Sequence, residues 1–378
     1  MKVAIVQEEV DLRRGGAETS TVEMARQLAA LGVDVTVICR AESATPFVDQ
    51  NVTFLPVAVR SGSRALRTYR FVQAASRLCR AERFDIVHAI TPCPAANVYQ
   101  PRGGTFAETV ARSTALHAAW LRPVKRLGRL FNVRQRFLGR VERLLLTKYA
   151  GRMHVAALSE YVRRQVLALG FPPERVQVVF NGVDPPTGAP ADRAAVRREQ
   201  GLTLATPVVL FVAHNFKLKG LRELLRAAAA ARSEWTVVVV GRDDPQPYKR
   251  LARRLGIDGR VRFVGTTTPI EVWYSVADAL AHPTWYDPCS RVVLEALVRG
   301  LPVVTTRYNC AAEVMQERTH GVVIAAPKDI AALASGLAAA LQPALRGACQ
   351  ADAPRMRAQL SMARHARELL SLYERVLV

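Results

Sequence analysis

Residues 282–297 read HPTWYDPCSRVVLEAL, and they lie between two mostly apolar runs, residues 277–281 and 301–306. The order strand, loop, helix, glycine, strand predicts a parallel βαβ unit. Asp287 falls in the loop after the first strand, and Glu295 falls eight residues later inside the helix. Because open α/β sheets bind ligands at the carboxyl ends of their strands, these two carboxylates mark a candidate functional site.

The same alternation of strand and helix extends along the chain. The expected strands are Val3–Val6, Asp34–Cys39, Thr53–Pro56, Ile86–Ala89, His154–Ala157 and Val176–Phe180 in the first half, and Val208–Ala213, Thr236–Val240 and Val261–Val264 in the second. The expected helices are Thr19–Leu31, Leu66–Glu82, Leu221–Ala231, Pro247–Leu255 and Ser290–Arg299. Such alternation predicts parallel, doubly wound sheets of the α/β class.

Residues 181–190 are rich in glycine and proline, which predicts a linker between two domains. A length of 378 residues also favours two domains. We therefore expect domains at 1–183 and 184–355. Residues 356–378 are expected to form one helix, with an apolar stripe made of Met356, Leu360, Ala363, Leu370, Tyr373 and Leu377.

The formal net charge of +21 predicts attraction to polyanions, which include nucleic acid, an anionic membrane surface and a phosphorylated substrate. The six cysteines show neither paired nor metal-ligand spacing, so we expect unpaired structural thiols in a reducing compartment. The N-terminal residues predict a first strand rather than a signal peptide, and no apolar stretch is long enough to span a bilayer. These features favour a cytoplasmic location.

Basic charge is concentrated in residues 112–152, which contain eleven Lys and Arg residues and one acid, Glu142. Four apolar residues of this segment follow helical spacing: Trp120, Val124, Leu127 and Phe131. Two interpretations are open, a basic amphipathic helix on an anionic membrane surface or an ordinary core-packing helix with a solvated basic face. The local concentration of charge favours the membrane surface.

Two loops have compositions that favour anion binding. Gly15 and Gly16 lie between the first strand and its helix, where backbone amides and the helix N-terminus favour an anion, although a plain turn has the same composition. Residues 216–220 read FKLKG after a buried strand. Lys217 and Lys219 could be plain surface lysines, but their position after that strand favours a phosphate-binding loop.

These motifs resemble those of the family-4 glycosyltransferases, which have the GT-B fold. Asp287 and Glu295 match the two acids of the family's E-x7-E motif, and FKLKG is similar to its basic donor loop. Further matches are Gly300–Thr306, Ala311–Glu313, Phe263–Gly265 and Asn181–Asp184. Within the family, LEAL at 294–297, GLPV at 300–303 and the FKLKG loop look most like the lipopolysaccharide-core glucosyltransferases.

The resemblance implies two Rossmann-like domains that face a cleft, with the C-terminal helix crossing back to the N-terminal domain. It implies a retaining glycosyltransferase that moves a hexose from a nucleotide-diphosphate sugar, with UDP favoured, to a glycan or lipid-linked acceptor such as lipopolysaccharide core. The N-terminal domain would bind the acceptor, and the C-terminal domain would bind the donor. With the basic segment, the expected location is peripheral, on the inner face of the plasma membrane.

The resemblance also implies roles for single residues. Lys217 and Lys219 would hold the donor diphosphate in place of a metal ion, so no metal or other cofactor is expected. Glu295 would accept hydrogen bonds from the ribose, and Asp287 would face the hydroxyls of the donor sugar near the reaction. Further donor contacts are expected from Gly15, Gly16, Gly265, Ser290 and Arg291.

Three positions depart from the family pattern. Asp287 replaces the usual glutamate, Cys310 stands in place of a common glycine, and Arg102 lies where relatives often carry a histidine. Arg102 cannot act as a base at neutral pH but can bind a phosphate. His88 is the other acceptor-side candidate, although a lone histidine at a strand end is more often structural. The plain alternatives are an Asx turn for Asp287 and a solvated helix carboxylate for Glu295.

No side chain suggests itself as a nucleophile, so the mechanistic hypothesis is front-face displacement, in which the leaving phosphate accepts the acceptor proton. A nucleic-acid-binding protein is an alternative function that would explain the charge. It would not explain the paired acids or the glycine-rich loops, and the aromatic residues form no stacking platform, so no nucleic-acid partner is expected. A catalytically impaired relative is a further alternative, because altered residues line the site.

Overall fold

The structure of the chain, a computed structural model, describes residues 1–11, 16–41, 51–117, 119–129, 131–184, 192–266 and 270–378. The chain divides into two compact units. The first unit comprises Met1–Gly182 and Ser361–Val378, and the second comprises Val183–Leu360. None of the helices in the described ranges is both long enough and apolar enough to cross a membrane.

The first unit contains a parallel sheet whose strands alternate with helices. Its strands are β1 (Lys2–Val6), β2 (Asp34–Arg40), β3 (Val52–Val57), β4 (Ile86–Ala89), β5 (Val98–Tyr99), β6 (His154–Ala157) and β7 (Val176–Val178). Its helices up to residue 182 are α1 (Gly16–Ala30), α2 (Arg64–Ala81), α3 (Phe106–Ala115), α4 (Arg122–Arg129), α5 (Val133–Leu146) and α6 (Glu160–Leu167). The strands pair in parallel in the order β3-β2-β1-β4-β5-β6-β7.

The second unit repeats this architecture. Its strands are β8 (Val208–Val212), β9 (Thr236–Val240), β10 (Val261–Gly265), β11 (Ala279–His282), β12 (Val303–Thr306) and β13 (Gly321–Ile324). Its helices are α7 (Arg193–Glu199), α8 (Leu221–Ala230), α9 (Gln246–Arg254), α10 (Glu271–Val276), α11 (Arg291–Val298), α12 (Ile330–Ala340) and α13 (Pro343–Gln359). The parallel strand order is β10-β9-β8-β11-β12-β13.

Both sheets reverse their strand order beside their first strand. The reversal falls between β1 and β4 in the first unit and between β8 and β11 in the second. At such a switch point the loops after the two central strands leave toward opposite faces of the sheet, which opens a crevice at the carboxyl ends. Each unit therefore has one crevice in which side chains from distant parts of the sequence meet.

The fold class is confirmed, since both units are doubly wound, parallel α/β structures. The bounds of β4, β6 and β9 equal the predicted ones, and most other predicted elements end within two residues of the observed ones. The short strand β5 was not predicted. It has only two residues, Val98 and Tyr99, and it is placed by pairing with β4 and β6 rather than by its own apolar pattern.

The prediction of one continuous C-terminal helix is wrong. The chain breaks at Leu360 and Ser361, after α13, and continues as α14 (Met362–Leu377). The Ser361 hydroxyl caps the new helix by accepting from the Arg364 N–H. Of the predicted stripe residues within α14, Tyr373 is fully buried, whereas Ala363 and Leu370 are partly exposed and Leu377 is exposed. The apolar face that α14 buries consists of Met362, Ala366, Leu369, Leu372 and Tyr373. Helix α14 belongs to the first unit, where it packs against α1 and β6.

Candidate functional site

The loop after β8 carries the two lysines of the FKLKG sequence. Buried Phe216 anchors this loop, and its N–H donates to the Asp243 carboxylate at 2.8 Å. Gly220 then turns the chain into α8 with φ +83°, and a Cβ at this position would lie 2.2 Å from the carbonyl oxygen of Pro283. Only glycine fits this position, because it combines a left-handed backbone with a close approach. Lys219 therefore lies between the N-terminus of α8 and the loop that follows β11.

Asp287 lies in that second loop and is held by its backbone on both sides. Its N–H donates to the Tyr308 carbonyl at 2.9 Å, and its own carbonyl accepts from the Cys310 N–H at 2.9 Å. Its carboxylate is 2.6 Å from Lys219 Nζ and 3.5 Å from His282 Nε2. Two of the positions that depart from the family pattern, Asp287 and Cys310, are thus direct hydrogen-bond partners.

The groups around Asp287 determine its charge. Burial would raise the pKa of Asp287, but the Lys219 ammonium and the His282 ring outweigh burial and hold that pKa well below its usual range. Burial, with a smaller contribution from Lys219, lowers the pKa of His282. At neutral pH the site therefore contains a carboxylate, an ammonium group and a neutral imidazole.

Glu295 has different surroundings within α11. Tyr274 Oη donates to one of its carboxylate oxygens at 2.8 Å, and Arg291 Nε donates to the other at 2.7 Å. Its side chain is 18% exposed, so Glu295 is not the solvated helix carboxylate of the alternative interpretation. A carboxylate offers about four lone-pair positions, so oriented oxygens remain able to accept further hydrogen bonds.

The other donor-site candidates differ in burial and in the element that carries them. Buried Ser290 is the N-cap residue of α11, and its hydroxyl lies 3.3 Å from His282 Nε2. Lys217 is exposed beside Lys219, and Gly265 is exposed at the carboxyl end of β10 with φ +71°. Gly16 is the first residue of α1, whereas Gly15 lies outside the described residues.

Within the described ranges, no group of three or more His, Cys, Asp or Glu side chains is placed to bind a metal ion. The loop after β8 contributes the Lys219 ammonium, which pairs with the Asp287 carboxylate at 2.6 Å.

The two acceptor-side candidates belong to the first unit. His88 is completely buried in β4, and its Nδ1 lies 2.5 Å from the Tyr373 hydroxyl of α14. Burial and the Arg102 guanidinium lower the pKa of His88 to about 3. His88 lies near the end of β4, as expected, but its complete burial keeps it from reaching an acceptor hydroxyl. The structural interpretation of His88 is the one that fits.

Arg102 points toward α1 rather than away from the unit. Its Nε donates to Gln100 at 2.8 Å, and its two terminal nitrogens contact Thr21 at 3.0 Å and the Met24 sulfur at 3.1 Å. Arg102 nevertheless lines a cavity of about 400 Å³ in the crevice beside β1 and β4. It is therefore the one acceptor-side candidate that borders a cavity.

The same cavity is bordered by a charged cluster that sequence analysis missed. Glu8 is buried just after β1, and its carboxylate accepts from the Thr68 hydroxyl at 2.7 Å, from Arg134 at 2.9 Å and from Arg40 at 3.5 Å. Glu9 pairs with Arg40 at 2.9 Å. These partners lie up to 126 positions apart, so only the two adjacent acids after the first strand could have signalled the cluster.

Four apolar side chains in the first part of the basic segment 112–152 are exposed. The exposed fractions are 76% for Trp120, 63% for Val124, 62% for Leu127 and 81% for Phe131. The core-packing interpretation is wrong for these four residues, because none of them is buried. Exposed apolar side chains in a basic segment are typical of a surface that binds another molecule or a membrane.

Two Rossmann-like units, each with a crevice at the switch point of its sheet, define the class as a two-domain α/β protein of the GT-B type. The model for "Glycosyltransferase Family 4" matches residues 14–186, and the model for "Glycosyl transferases group 1" matches residues 206–343. Together they cover more than four fifths of the chain. The chain belongs to this family of glycosyltransferases.

Two curated relatives match about half of the chain. D-inositol 3-phosphate glycosyltransferase 2 of Catenulispora acidiphila is 34% identical over 200 residues, which are 48% of this chain and 47% of the relative. The lipopolysaccharide glucosyltransferase WaaG of Escherichia coli is 31% identical over 163 residues, which are 41% of this chain and 44% of the relative. The matches thus span about half the length of these relatives.

Solved structures match the fold over the whole chain. WaaG, a glycosyltransferase involved in lipopolysaccharide biosynthesis, gives a TM-score of 0.81 at 23% identity and covers 98% of this chain and 99% of its own. The Anabaena protein HepE, solved in complex with UDP-glucose, gives a TM-score of 0.72 at 18% identity, with 99% and 100% covered. At these identities the likeness concerns the fold.

Proposed function

We propose that the protein is a retaining glycosyltransferase that moves a hexose from a nucleotide-diphosphate sugar to a glycan or lipid-linked acceptor, such as a lipopolysaccharide core. The observation that carries this proposal is the grouping of Lys219 and Asp287 at the switch point of the second unit, with Glu295 held by two hydrogen bonds in the helix that follows. A cation and two oriented carboxylates suit the diphosphate, the sugar and the ribose of one donor molecule.

The donor would bind in the second unit. Lys217, Lys219 and the N-terminus of α8 supply positive charge for the diphosphate. Asp287 would accept from sugar hydroxyls, and Glu295 would accept from the ribose. UDP is the favoured nucleotide of the donor, because the HepE structure of the same fold contains UDP-glucose. Since lysines rather than a metal ion would neutralise the diphosphate in this proposal, turnover should persist in EDTA.

The transfer would proceed within a complex of donor and acceptor. The acceptor oxygen attacks the anomeric carbon on the face from which the diphosphate departs, the bond to the phosphate oxygen breaks, and that oxygen accepts the acceptor proton. Negative charge grows on the leaving diphosphate, so Lys219 would stabilise the transition state more than the ground state. Retention in the product by NMR supports this mechanism, and a glycosyl-enzyme adduct trapped for mass spectrometry would exclude it.

The donor is tested by measuring the release of UDP or GDP from a panel of nucleotide sugars, with and without EDTA. Glu295→Gln is the control variant, because it preserves the shape of a residue central to the proposal. We expect one donor to turn over faster with the wild type than with the variant. If no donor does so, the protein is an impaired relative rather than an active transferase.

The acceptor would bind in the cavity of the first unit. Carboxylates and guanidinium groups border this cavity. The carboxylates can accept hydrogen bonds from vicinal hydroxyls of a sugar, and the guanidinium groups can donate to them. The charges are nearly balanced, since Glu8, Glu9 and Glu18 border it together with Arg102 and Arg134. This balance favours the sugar part of an acceptor over a multiply phosphorylated group at this position.

We also infer that the exposed face of residues 120–131 binds the surface of an anionic membrane and brings the protein to a lipid-linked acceptor. Exposed Arg136, Arg140, Arg143 and Lys148 follow it in the chain. Each basic residue near an anionic surface contributes about 1 kcal/mol, and the apolar side chains would enter the headgroup layer.

Tryptophan fluorescence tests this inference, because Trp120 is exposed whereas Trp235, Trp273 and Trp285 are buried. Vesicles with brominated anionic lipids should quench the wild type, and Trp120→Phe should remove most of the quenching. Leu127→Glu should weaken flotation with vesicles, whereas the matched change at Leu204, which is 61% exposed in the second unit, should not. Equal flotation of the two variants would refute the inference.

A further inference from the structure

Lys219 and Asp287 bind each other. Lys219 Nζ is 2.6 Å from Asp287 Oδ2, and it also donates to the Tyr286 carbonyl at 3.3 Å. The side chains are 19% and 14% exposed, so the pair is largely shielded from solvent. In the absence of a donor, Lys219, which is assigned to the diphosphate, is therefore paired with Asp287, which is assigned to the sugar.

We propose that this ion pair makes the site discriminate an intact nucleotide sugar from the free nucleotide diphosphate, with Asp287 as the specificity-determining residue. The inference rests on the proposed function, in which the donor diphosphate binds at Lys219. It adds a selection between donor and spent donor at that same site.

The discrimination would arise because a diphosphate that binds Lys219 deprives Asp287 of its shielded counter-ion. Any diphosphate that reaches Lys219 competes with Asp287, and a carboxylate that loses its cation in a shielded site is destabilised. The hexose of a nucleotide sugar offers hydroxyl groups that donate to the released Asp287. A free nucleotide diphosphate lacks the hexose, and its ribose hydroxyls are the ones assigned to Glu295. Both ligands break the ion pair, but only the intact donor compensates for it, so the spent donor binds less tightly and leaves more easily.

The surroundings of Asp287 offer little to compensate its carboxylate for the loss of Lys219. Its backbone is hydrogen-bonded to Tyr308 on one side and to Cys310 on the other, so its main chain cannot move away from Lys219 without breaking both bonds. His282 remains 3.5 Å from the carboxylate, but its burial lowers its pKa and disfavours the charged form that would replace Lys219. The Asp287 carboxylate therefore depends on Lys219 or on a ligand.

The test is a double-mutant cycle with Asp287→Asn and Lys219→Met, with calorimetric titration of inorganic pyrophosphate and of UDP. Pyrophosphate is used because it lacks both base and sugar. Asp287→Asn should tighten the binding of pyrophosphate by about threefold to tenfold, the range expected for removing one charged competitor. It should also lower turnover of the donor identified by the nucleotide-release screen. In the Lys219→Met background, Asp287→Asn should change pyrophosphate affinity less than twofold.

Glu295→Gln is the matched control, since it removes an acid that pairs with Arg291 and Tyr274 instead of Lys219. It should leave pyrophosphate affinity within about twofold. If Asp287→Asn folds poorly by thermal melting, Asp287→Ala replaces it with the same expected direction. Unchanged or weaker pyrophosphate binding by these variants overturns the inference, as does tightening that persists without Lys219, because that would be general repulsion. Wild-type protein that binds neither pyrophosphate nor UDP or GDP would instead contradict the proposed function.

Discussion

Asp287 and Glu295 lie eight residues apart but have different partners, so substitutions at the two acids should have different effects. Asp287 faces a cation, whereas Glu295 is oriented by Tyr274 and Arg291. Replacing Glu295 by glutamine should weaken the binding of UDP or GDP about tenfold, because an amide loses the charge and one accepting oxygen. Calorimetric titration measures the change.

The matched control is Glu271→Gln, since the Glu271 side chain is 54% exposed and lies in the same unit. It removes an equal charge without touching the hydrogen bonds to Tyr274 and should leave nucleotide affinity within about twofold. Equal affinities for the two variants would show that Glu295 does not contact the nucleotide.

Glu142 is a buried acid whose protonation should make the stability of the fold depend on pH. It is 4% exposed in α5, and it accepts from the Tyr99 hydroxyl and the Phe106 N–H, both at 2.7 Å. Burial outweighs these hydrogen bonds and raises the pKa of Glu142 from 4.5 to about 7. The folded state therefore keeps a proton that the unfolded state releases. Its contribution to stability is present below pH 4.5 and is lost as the pH rises to about 7, by about 3 kcal/mol.

Scanning calorimetry at pH 5 and pH 7.5 tests this linkage. Glu142→Gln should reduce the difference in melting temperature between the two pH values, because the amide does not titrate. Glu174→Gln, at an exposed position of the first unit, should leave that difference as it is in the wild type. An identical pH dependence of wild type and Glu142→Gln would contradict the assignment.

At the scale of elements, one buried aspartate connects two helices to a strand of the second unit. Asp278 precedes β11, is 3% exposed, and pairs with Arg193 and Arg197 of α7 at 2.6 and 2.5 Å and with Arg346 of α13 at 2.8 Å. Asp278→Asn keeps the shape but leaves the buried guanidinium of Arg197 without its counter-charge. We expect a loss of about 3 to 5 kcal/mol in the free energy of unfolding.

Urea unfolding, followed by the fluorescence of the three buried tryptophans of the second unit, measures this loss. Asp258→Asn is the control, because Asp258 is exposed in the same unit. A loss below about 1 kcal/mol for Asp278→Asn, the level of a surface ion pair, would mean that packing rather than charge connects these elements.

The elements themselves show which parts of the fold can be predicted from sequence. Strand β9 is a run of β-branched residues, TVVVV, that ends before Gly241, and its bounds were predicted correctly. The break between α13 and α14 was missed, because apolar residues continue through it at helical spacing. Only the Ser361 cap and the burial of α14 against the first unit end one helix and begin the next.

The candidate site likewise has parts that a local sequence pattern indicates and parts that only the fold brings together. The eight-residue spacing of Asp287 and Glu295 is local, so the sequence predicted both residues. The pairing of Lys219 with Asp287 joins positions 68 apart, and that of Arg134 with Glu8 joins positions 126 apart. Such pairs depend on the strand order at each switch point, which no local pattern specifies.

At the scale of the whole molecule, the net charge of +21 is unevenly distributed. Residues 112–152 are about a ninth of the chain but hold eleven of its 53 Lys and Arg residues. Attraction by these charges is long-range and screened by salt, whereas burial of Leu127 and Phe131 in a headgroup layer is short-range and nearly independent of salt. Membrane binding by this surface should therefore have two separable components.

Vesicle flotation at increasing NaCl concentration separates them. For vesicles with anionic lipid, raising NaCl from 0.1 to 1 M should weaken wild-type binding at least about tenfold, because the screening length falls from about 10 to about 3 Å. The binding that remains at 1 M should be abolished by Leu127→Glu with Phe131→Glu and preserved by Leu204→Glu. Binding that salt does not weaken would refute the electrostatic component. Residual binding that the double variant retains would show that the exposed apolar face does not enter the membrane.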